Sequence, residues 1–81
     1  MNPPTTQSLD QLPSGSLVKV HALRGGSLLA SRLAALGLTP GTPLVVLRNN
    51  THGPLLVMVR ETRLAMGRGE AAKILVERTG P

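Results

Sequence analysis

The sequence predicts a mainly β domain: a small SH3-like five-stranded barrel with one helix inserted after the first strand. Five short segments show the alternation or the apolar runs that are typical of strands. One segment between the first two strands has the spacing of an amphipathic helix. With 81 residues, five strands cannot form two full sheets, so we expect them to curl and hide their edges. An OB-type barrel has the same elements, but its helix usually lies between strands 3 and 4.

The N-terminal residues 1–7 are almost all polar or proline and offer nothing to bury, so we expect a disordered lead. The domain itself is expected over residues 8–78, followed by a tail at residues 79–81. At the start of the domain, Ser8 is placed to cap a single helical turn over residues 9–12.

The first strand is predicted over residues 17–23, because apolar and polar residues alternate there. Val18 and Val20 share one face, and Lys19 and His21 share the other. Such alternation is typical of a half-buried strand, with the valines toward the core.

The helix is predicted over residues 28–36, with Ser27 as its N-terminal cap. Three leucines fall on one stripe of this helix: Leu29, Leu33 and Leu36. We expect the stripe to close one end of the barrel as part of the core. A groove that holds a partner is the alternative interpretation.

The end of the helix and the turn after it have the most specific sequence of the chain. Gly37 fits the left-handed position that follows a helix, and Leu38 is placed to fold back onto the last helical turn. Pro40 and Gly41 fit the two central positions of a type II turn. A second strand is then predicted over residues 43–48.

The second half of the chain is predicted to contain the other strands, over residues 54–60, 62–66 and 74–77. Residues 49–53 are expected to form a polar hairpin loop. Residues 67–73 are expected to form a connecting turn with room for one helical turn.

Two apolar side chains in the third strand are expected to point away from the core. If Leu55, Val57 and Val59 face inward, Leu56 and Met58 face outward. Either a neighbouring loop, the helix or a second copy of the chain covers them, or they form a docking face for a partner. Clustered exposed apolar groups are typical of interfaces.

The sequence contains no combination of residues that indicates catalysis. It has two histidines, His21 and His52, and four widely spaced carboxylates. Metal sites normally combine three or four ligands at recognisable spacing, so we expect no metal ligand and no cofactor, and we interpret both histidines as solvated. Residues 67–70 lack the lysine and the hydroxyl residue of a phosphate-binding loop.

Composition favours a soluble, cytoplasmic protein. We find no cysteine for disulfides, no apolar run long enough for a membrane span and no signal-peptide pattern in the first residues. The formal charge of +5 favours an acidic or nucleic-acid partner. The absence of phenylalanine, tyrosine and tryptophan counts against nucleic acid, because single strands stack their bases on aromatic rings.

Four motifs together resemble the ferrous iron transport protein A (FeoA) family. They are Leu-Asp-Gln-Leu-Pro-Ser-Gly at 9–15, Arg-Leu-Ala-Ala-Leu-Gly-Leu-Thr-Pro-Gly at 32–41, Thr-Arg-Leu-Ala-Met at 62–66 and Ala-Lys-Ile-Leu-Val at 72–76. The resemblance implies a small cytoplasmic SH3-like domain of bacterial ferrous iron uptake and, at the family level, an association with transition metal ions. It also implies a partner: the membrane permease of that system, which carries a cytosolic G-protein domain of the FeoB type.

The chain departs from the pattern of this family in two places. Glu61 stands where a glycine is common, so we expect the turn before residues 62–66 to be built differently. Leu56 and Met58 stand where the family often has polar or charged residues, which again draws attention to the outward face of the third strand.

From these observations we predict a non-enzymatic accessory protein that binds and modulates the cytosolic part of the ferrous iron permease. A small rigid barrel would present two apolar side chains with arginines around them. The predicted binding face consists of Leu56, Met58, Arg48, Arg60 and Arg63.

Four alternatives remain open at this point. The chain could be a basic nucleic-acid-binding barrel, or a free-standing relative of the C-terminal domain of iron-dependent repressors. It could form a weak homodimer through the exposed apolar strand. An arginine, Arg32 or Arg68, could also be supplied in trans to the G-protein partner to stabilise charge during nucleotide hydrolysis.

Overall fold

The computed structural model of the protein describes residues 6–50 and 52–79. In chain order, the elements are β1 (Thr6–Ser8), a 3-10 helix (Leu9–Gln11), β2 (Leu17–Leu23), α1 (Gly26–Ala35), β3 (Pro43–Arg48), β4 (Leu55–Val59), β5 (Thr62–Met66), α2 (Arg68–Ala71) and β6 (Ile74–Arg78). Predictions for residues 1–5, 51, 80 and 81 lie outside the described residues.

The strands form one antiparallel sheet with the order β1-β6-β2-β3-β4-β5. The SH3-like, mainly β class predicted from the sequence is confirmed. Two details differ, because in the part of the chain that the structure describes the sheet has six strands rather than five and it is not closed. Within residues 6–50 and 52–79 the end strands β1 and β5 do not pair with each other, so the sheet keeps two edges.

The additional strand is β1, and it corrects the prediction of a disordered lead up to residue 7. Thr6 lies opposite Glu77 and Ser8 lies opposite Leu75. The three residues of β1 are polar, so they give no apolar alternation that would predict a strand. Their pairing with β6 comes from the backbone, which any sequence supplies.

The predicted helical turn after Ser8 is confirmed as the 3-10 helix Leu9–Gln11. The backbone N–H of Leu12 donates to the carbonyl oxygen of Leu9 at 3.2 Å and ends this helix. The predicted cap is wrong, because the Ser8 side chain makes no capping hydrogen bond.

The core lies between the inner face of the sheet and the helical segments. It draws buried apolar side chains from every strand except β1, from both α-helices and from the 3-10 helix. Its members are Leu9, Leu12, Val18, Val20, Leu33, Leu38, Leu44, Val46, Leu55, Val57, Val59, Met66, Ala71, Ile74 and Val76. Alternation in the strands is the source of this pattern, since every second side chain points to the same face.

Helix α1 begins at Gly26, earlier than predicted, and Gly25 occupies its N-cap position. Ser27 therefore lies inside the first turn, and the helix has no side-chain capping hydrogen bond. The predicted cap at Ser27 is wrong because the chain enters the helix two residues before the apolar spacing begins.

The leucine stripe of α1 is confirmed in part. Leu33 is buried, and Leu29 is half-buried against the core. Leu36 is 51% exposed, because it is the C-cap residue, with φ −91° and ψ 1°, and the helical repeat has ended there. Leu38 fills the core position instead and is fully buried.

The predicted end of α1 is confirmed. Gly37 has φ +89°, in the left-handed region. The backbone N–H of Leu38 donates to the Leu33 carbonyl at 2.8 Å, and that of Gly37 donates to the Ala34 carbonyl at 2.9 Å. These two bonds define a Schellman motif, which satisfies carbonyls that the helix leaves free.

The predicted type II turn is also confirmed. The backbone N–H of Thr42 donates to the Thr39 carbonyl at 3.0 Å, and Gly41 has the required positive φ of 91°. Pro40 precedes it at the position that favours proline. The N–H of Gly41 donates to the Val20 carbonyl at 2.7 Å, so the turn is fixed directly to β2.

The turn between β4 and β5 has two residues in the left-handed region. Arg60 has φ +51° and Glu61 has φ +69°, and Val59 pairs with Thr62 on either side. Two positive φ values in a two-residue loop define a type I′ turn, for which Asn-Gly is the preferred sequence. Each non-glycine residue in this region costs about 1–2 kcal/mol of folding free energy. The backbone conformation of Arg60 and Glu61 therefore lowers the stability of the domain.

Candidate partner-binding site

Strand β4 turns Leu56 and Met58 away from the core, as predicted. Leu55, Val57 and Val59 are buried, whereas Leu56 and Met58 are half-buried. The alternation follows from the strand geometry, in which successive side chains point to opposite faces. The two residues therefore belong to the outer face of the sheet.

The register of the sheet extends this face into a row across four strands. Leu17 of β2 lies opposite Val45 of β3, Val45 lies opposite Met58 of β4, and Met58 lies opposite Arg63 of β5. Leu17 is 55% exposed, and Val45 is half-buried. The row is therefore apolar over three strands and ends in a guanidinium group.

A bulge in β3 places a second arginine on the same face. The register between β3 and β4 shifts between Val46 and Arg48, so Arg48 lies opposite Leu56. In a regular strand, Arg48 would share the inward face of Val46, two residues before it. The extra residue of the bulge, Leu47, moves the arginine to the outer face.

We call these residues together the outer patch. It consists of Leu17, Val45, Leu56 and Met58, with Arg48, Arg60 and Arg63 around them. A groove of about 290 Å³ lies at the end of the patch near the β4–β5 turn, and its wall includes Leu17, Val45, Met58, Arg60 and Glu61.

The arginines of the outer patch have no carboxylate partner in the part of the chain that the structure describes. The salt bridges there join Lys19 to Glu77 at 3.5 Å, His21 to Glu77 at 3.9 Å and Arg32 to Glu70 at 2.8 Å. All three patch arginines are exposed. The patch is therefore an apolar surface with uncompensated positive charge at its border, apart from Glu61 in the turn.

Five residues of this patch were predicted from the sequence, and Leu17 and Val45 were not among them. A signal for both was present in the alternation. With Val18 and Val20 inward, Leu17 had to point outward, and Val45 had to do so between two inward residues of β3. The sequence alone does not determine the register of the strand pairing. That register places Leu17 and Val45 in one row with Met58 rather than elsewhere on the outer face.

Arg68 has a structural role that the sequence did not indicate. Its Nη1 donates to Asn49 Oδ1 and to the Asn50 carbonyl, both at 2.8 Å, and its Nη2 donates to the Asp10 carbonyl at 2.9 Å. Asn49 Nδ2 donates in turn to the carbonyls of Asp10 at 2.9 Å and Leu12 at 2.7 Å. The guanidinium is engaged within the domain, which disfavours the interpretation of Arg68 as an arginine supplied in trans.

A second groove, of about 630 Å³, lies between α1 and α2. Its wall includes Leu28, which is 84% exposed, and Leu29. Arg32 lies at this groove and is paired with Glu70 at 2.8 Å. The groove therefore has apolar surface, but the charge of this arginine is compensated, unlike that of the patch arginines.

The structure describes no group of three or more histidine, cysteine, aspartate or glutamate side chains that could hold a metal ion among residues 6–50 and 52–79. His21 and His52 are both exposed and lie in different parts of the fold, β2 and the β3–β4 loop. No helix in the described ranges is long and apolar enough to cross a membrane.

Comparison with known proteins agrees with the fold and identifies the family. A Methanocaldococcus jannaschii protein named Fe(2+) transport protein A is 36% identical over 63 residues, which are 78% of this chain and 76% of that protein. The crystal structure of an iron uptake regulatory protein (FeoA) has a TM-score of 0.87 at 29% identity, covering 93% of this chain and 100% of that one.

A manganese-dependent transcriptional repressor has a TM-score of 0.85 at 18% identity, covering 98% of this chain and 45% of that one. At this identity the likeness shows a shared fold alone, so it gives no support to a repressor function. The family model described as the FeoA domain, by contrast, matches residues 7–78. Together with the 36% identical relative, this match shows that the chain belongs to the FeoA domain family.

Proposed function

We propose that this protein is a non-enzymatic, cytoplasmic accessory protein of ferrous iron uptake, and that it binds the cytosolic part of the ferrous iron permease through the outer patch. Membership of the FeoA domain family and the likeness to a named Fe(2+) transport protein support the process. The observation that supports this binding site is the outer patch itself, an apolar surface with three arginines that lack carboxylate partners among the described residues.

The physical basis of the proposed interaction is burial of the apolar row together with pairing of the arginines. Met58 lies at the centre of the row, between Val45 and Arg63. Methionine and arginine are enriched at protein interfaces, and the residues that contribute most to binding lie near the centre of the contact. The guanidinium groups would pair with acidic side chains of the permease, and the permease G domain would then respond to the bound domain.

The proposal is tested by calorimetric titration of the domain into the purified cytosolic region of the permease from the same organism, with GDP and with a GTP analogue. We expect saturable binding whose affinity differs between the two nucleotides. Met58→Asp places a charge in the apolar row and is expected to raise the Kd at least tenfold, which corresponds to about 1.4 kcal/mol.

Leu28→Asp is the matched control, because it makes the same change at an 84% exposed leucine of the α1–α2 groove. We expect it to leave the Kd unchanged. Arg63→Glu changes an exposed side chain, so we expect the variant to stay folded. It is nevertheless expected to weaken binding, which separates loss of binding from loss of folding. A Kd that changes with Leu28→Asp but not with Met58→Asp or Arg63→Glu would place the contact at the α1–α2 groove.

The outer patch also offers a surface for weak self-association. Sedimentation of the wild-type domain and of Met58→Asp distinguishes the two uses of the patch. A concentration-dependent dimer that disappears in Met58→Asp, together with no binding to the permease region in either nucleotide state, would overturn the proposed function.

A further inference from the structure

Strand β5 forms one edge of the open sheet. It is the last strand in the order, and among residues 6–50 and 52–79 it pairs only with β4. The other backbone hydrogen bonds of the described chain, in turns and loops, involve no residue of β5. The opposite edge is β1, which has three residues, whereas β5 has five.

The β4–β5 turn determines which backbone groups of β5 face outward in the plane of the sheet. A two-residue type I′ loop is closed by a pair that exchanges both hydrogen bonds, here Val59 and Thr62. In an antiparallel pair, such residues alternate with residues that do not bond to the partner strand. Arg63 and Ala65 therefore direct their N–H and C=O groups to the free edge, and both residues are exposed.

The free edge is continuous with the outer patch, because Arg63 belongs to both. Its side chain lies on the outer face opposite Met58, and its backbone lies at the edge. A segment added beside β5 would form backbone hydrogen bonds with Arg63 and Ala65. It would place alternate side chains on the outer face, next to the Arg63 guanidinium group, which has no carboxylate partner among the described residues.

We propose that the partner binds as an added strand: an extended, acidic polypeptide segment that pairs with β5 and directs acidic side chains toward the patch arginines. The proposal rests on the proposed function, since it specifies the segment of the permease region that the domain would take. Charge complementarity selects an acidic segment, and backbone donors and acceptors in strand register select a polypeptide. Nucleic acid fits less well, because the chain contains no aromatic residue on which bases could stack.

The test is amide hydrogen exchange by NMR on the full chain, free and saturated with the purified cytosolic region of the permease. In the free protein we expect fast exchange at Arg63 and Ala65 and slow exchange at Leu64 and Met66. On binding, exchange at Arg63 and Ala65 is expected to slow at least tenfold. Fast exchange of these two amides in the complex, or slow exchange in the free protein, would overturn the proposal.

Ala65→Pro gives an independent measurement, because proline removes the outward N–H and is tolerated on an edge strand. We expect the Kd for the permease region to rise at least tenfold, with the slow exchange of Leu64 and Met66 retained as the sign of an intact hairpin. If Ala65→Pro leaves the Kd unchanged while Met58→Asp raises it, the outer patch binds without strand addition and only the present inference fails.

If the permease region does not bind at all, the proposed function fails and the edge is tested by itself. The probe is a synthetic peptide of alternating glutamate and valine at millimolar concentration, with a peptide of alternating lysine and valine as its control. Slower exchange at Arg63 and Ala65 with the glutamate peptide alone would support an acidic added strand. Equal effects of both peptides, or no effect of either, would overturn it, as would slower exchange produced by single-stranded DNA alone.

Discussion

Arg68 donates from Nη1 to Asn49 Oδ1 at 2.8 Å, and this pair connects helix α2 to the loop after β3. Both residues also donate to the carbonyl oxygen of Asp10, Arg68 from Nη2 and Asn49 from Nδ2, each at 2.9 Å. Three segments that are distant in sequence therefore meet at one guanidinium and one amide. We call this arrangement the Arg68 clamp.

The first prediction concerns the clamp. Arg68→Ala removes three charge-assisted hydrogen bonds, each to an acceptor that is then left with fewer partners, and is expected to lower the free energy of unfolding by about 2–3 kcal/mol. Urea denaturation measures the loss. Arg32→Ala is the control, since its salt bridge to Glu70 is largely exposed and is worth about 0–1 kcal/mol. Equal losses in the two variants would contradict the structural role of the clamp.

The second prediction concerns the end of α1. Gly37→Ala is expected to lower the free energy of unfolding by about 1–2 kcal/mol, because φ is +89° there and an L-residue is strained in this region. A Cβ at this position would lie 3.9 Å from Val59 Cγ1, an ordinary contact, so the cost is conformational. Gly69→Ala, inside α2 with open space around it, is expected to raise stability by up to about 1 kcal/mol.

The third prediction concerns the strained β4–β5 turn. Glu61→Gly is expected to raise the free energy of unfolding by about 0.5–1 kcal/mol, because glycine adopts a φ of +69° without the Cβ clash, and part of the gain is offset by its chain entropy. Thermal denaturation followed by circular dichroism measures the change. A lower melting temperature would show that the Glu61 side chain makes a stabilising contact that outweighs the strain.

The fourth prediction separates the two C-terminal leucines of the α1 stripe. Leu33 is 1% exposed and Leu36 is 51% exposed. Leu33→Ala leaves a cavity in the core and is expected to cost about 2–5 kcal/mol. Leu36→Ala is expected to change the free energy of unfolding by less than about 0.5 kcal/mol. Chemical denaturation of both variants tests whether the helical repeat ends before Leu36.

Local chemistry predicted the parts of this fold that depend on single residues. The Schellman motif at Gly37 and the turn at Gly41 require a positive φ, and glycine at those positions is a specific signal. The outward direction of Leu56 and Met58 followed from alternation alone. Two of the predictions that failed, Ser8 and Ser27 as caps, assigned a capping role to the nearest hydroxyl, although both helices start without a side-chain capping hydrogen bond in the described residues.

The parts that could not be predicted depend on partners distant in the sequence. Strand β1 has no apolar pattern, and it exists because β6 offers a backbone edge. The Arg68 clamp depends on carbonyl oxygens of residues 10 and 50, which carry no sequence signal. The register that joins Leu17, Val45 and Met58 is likewise a property of strand pairing, which the turns and the bulge determine together.

The pairing of Thr6 with Glu77 has a consequence for architecture. The polypeptide enters and leaves the domain at neighbouring positions near one end of the sheet, while β5 lies at the other end of the strand order. Thr79, the residue after β6, also lines the groove at the β4–β5 turn, so a flanking module attached after β6 would emerge beside the outer patch. This geometry suits a portable unit that can be appended to larger proteins, and the same fold indeed occupies only 45% of the repressor chain.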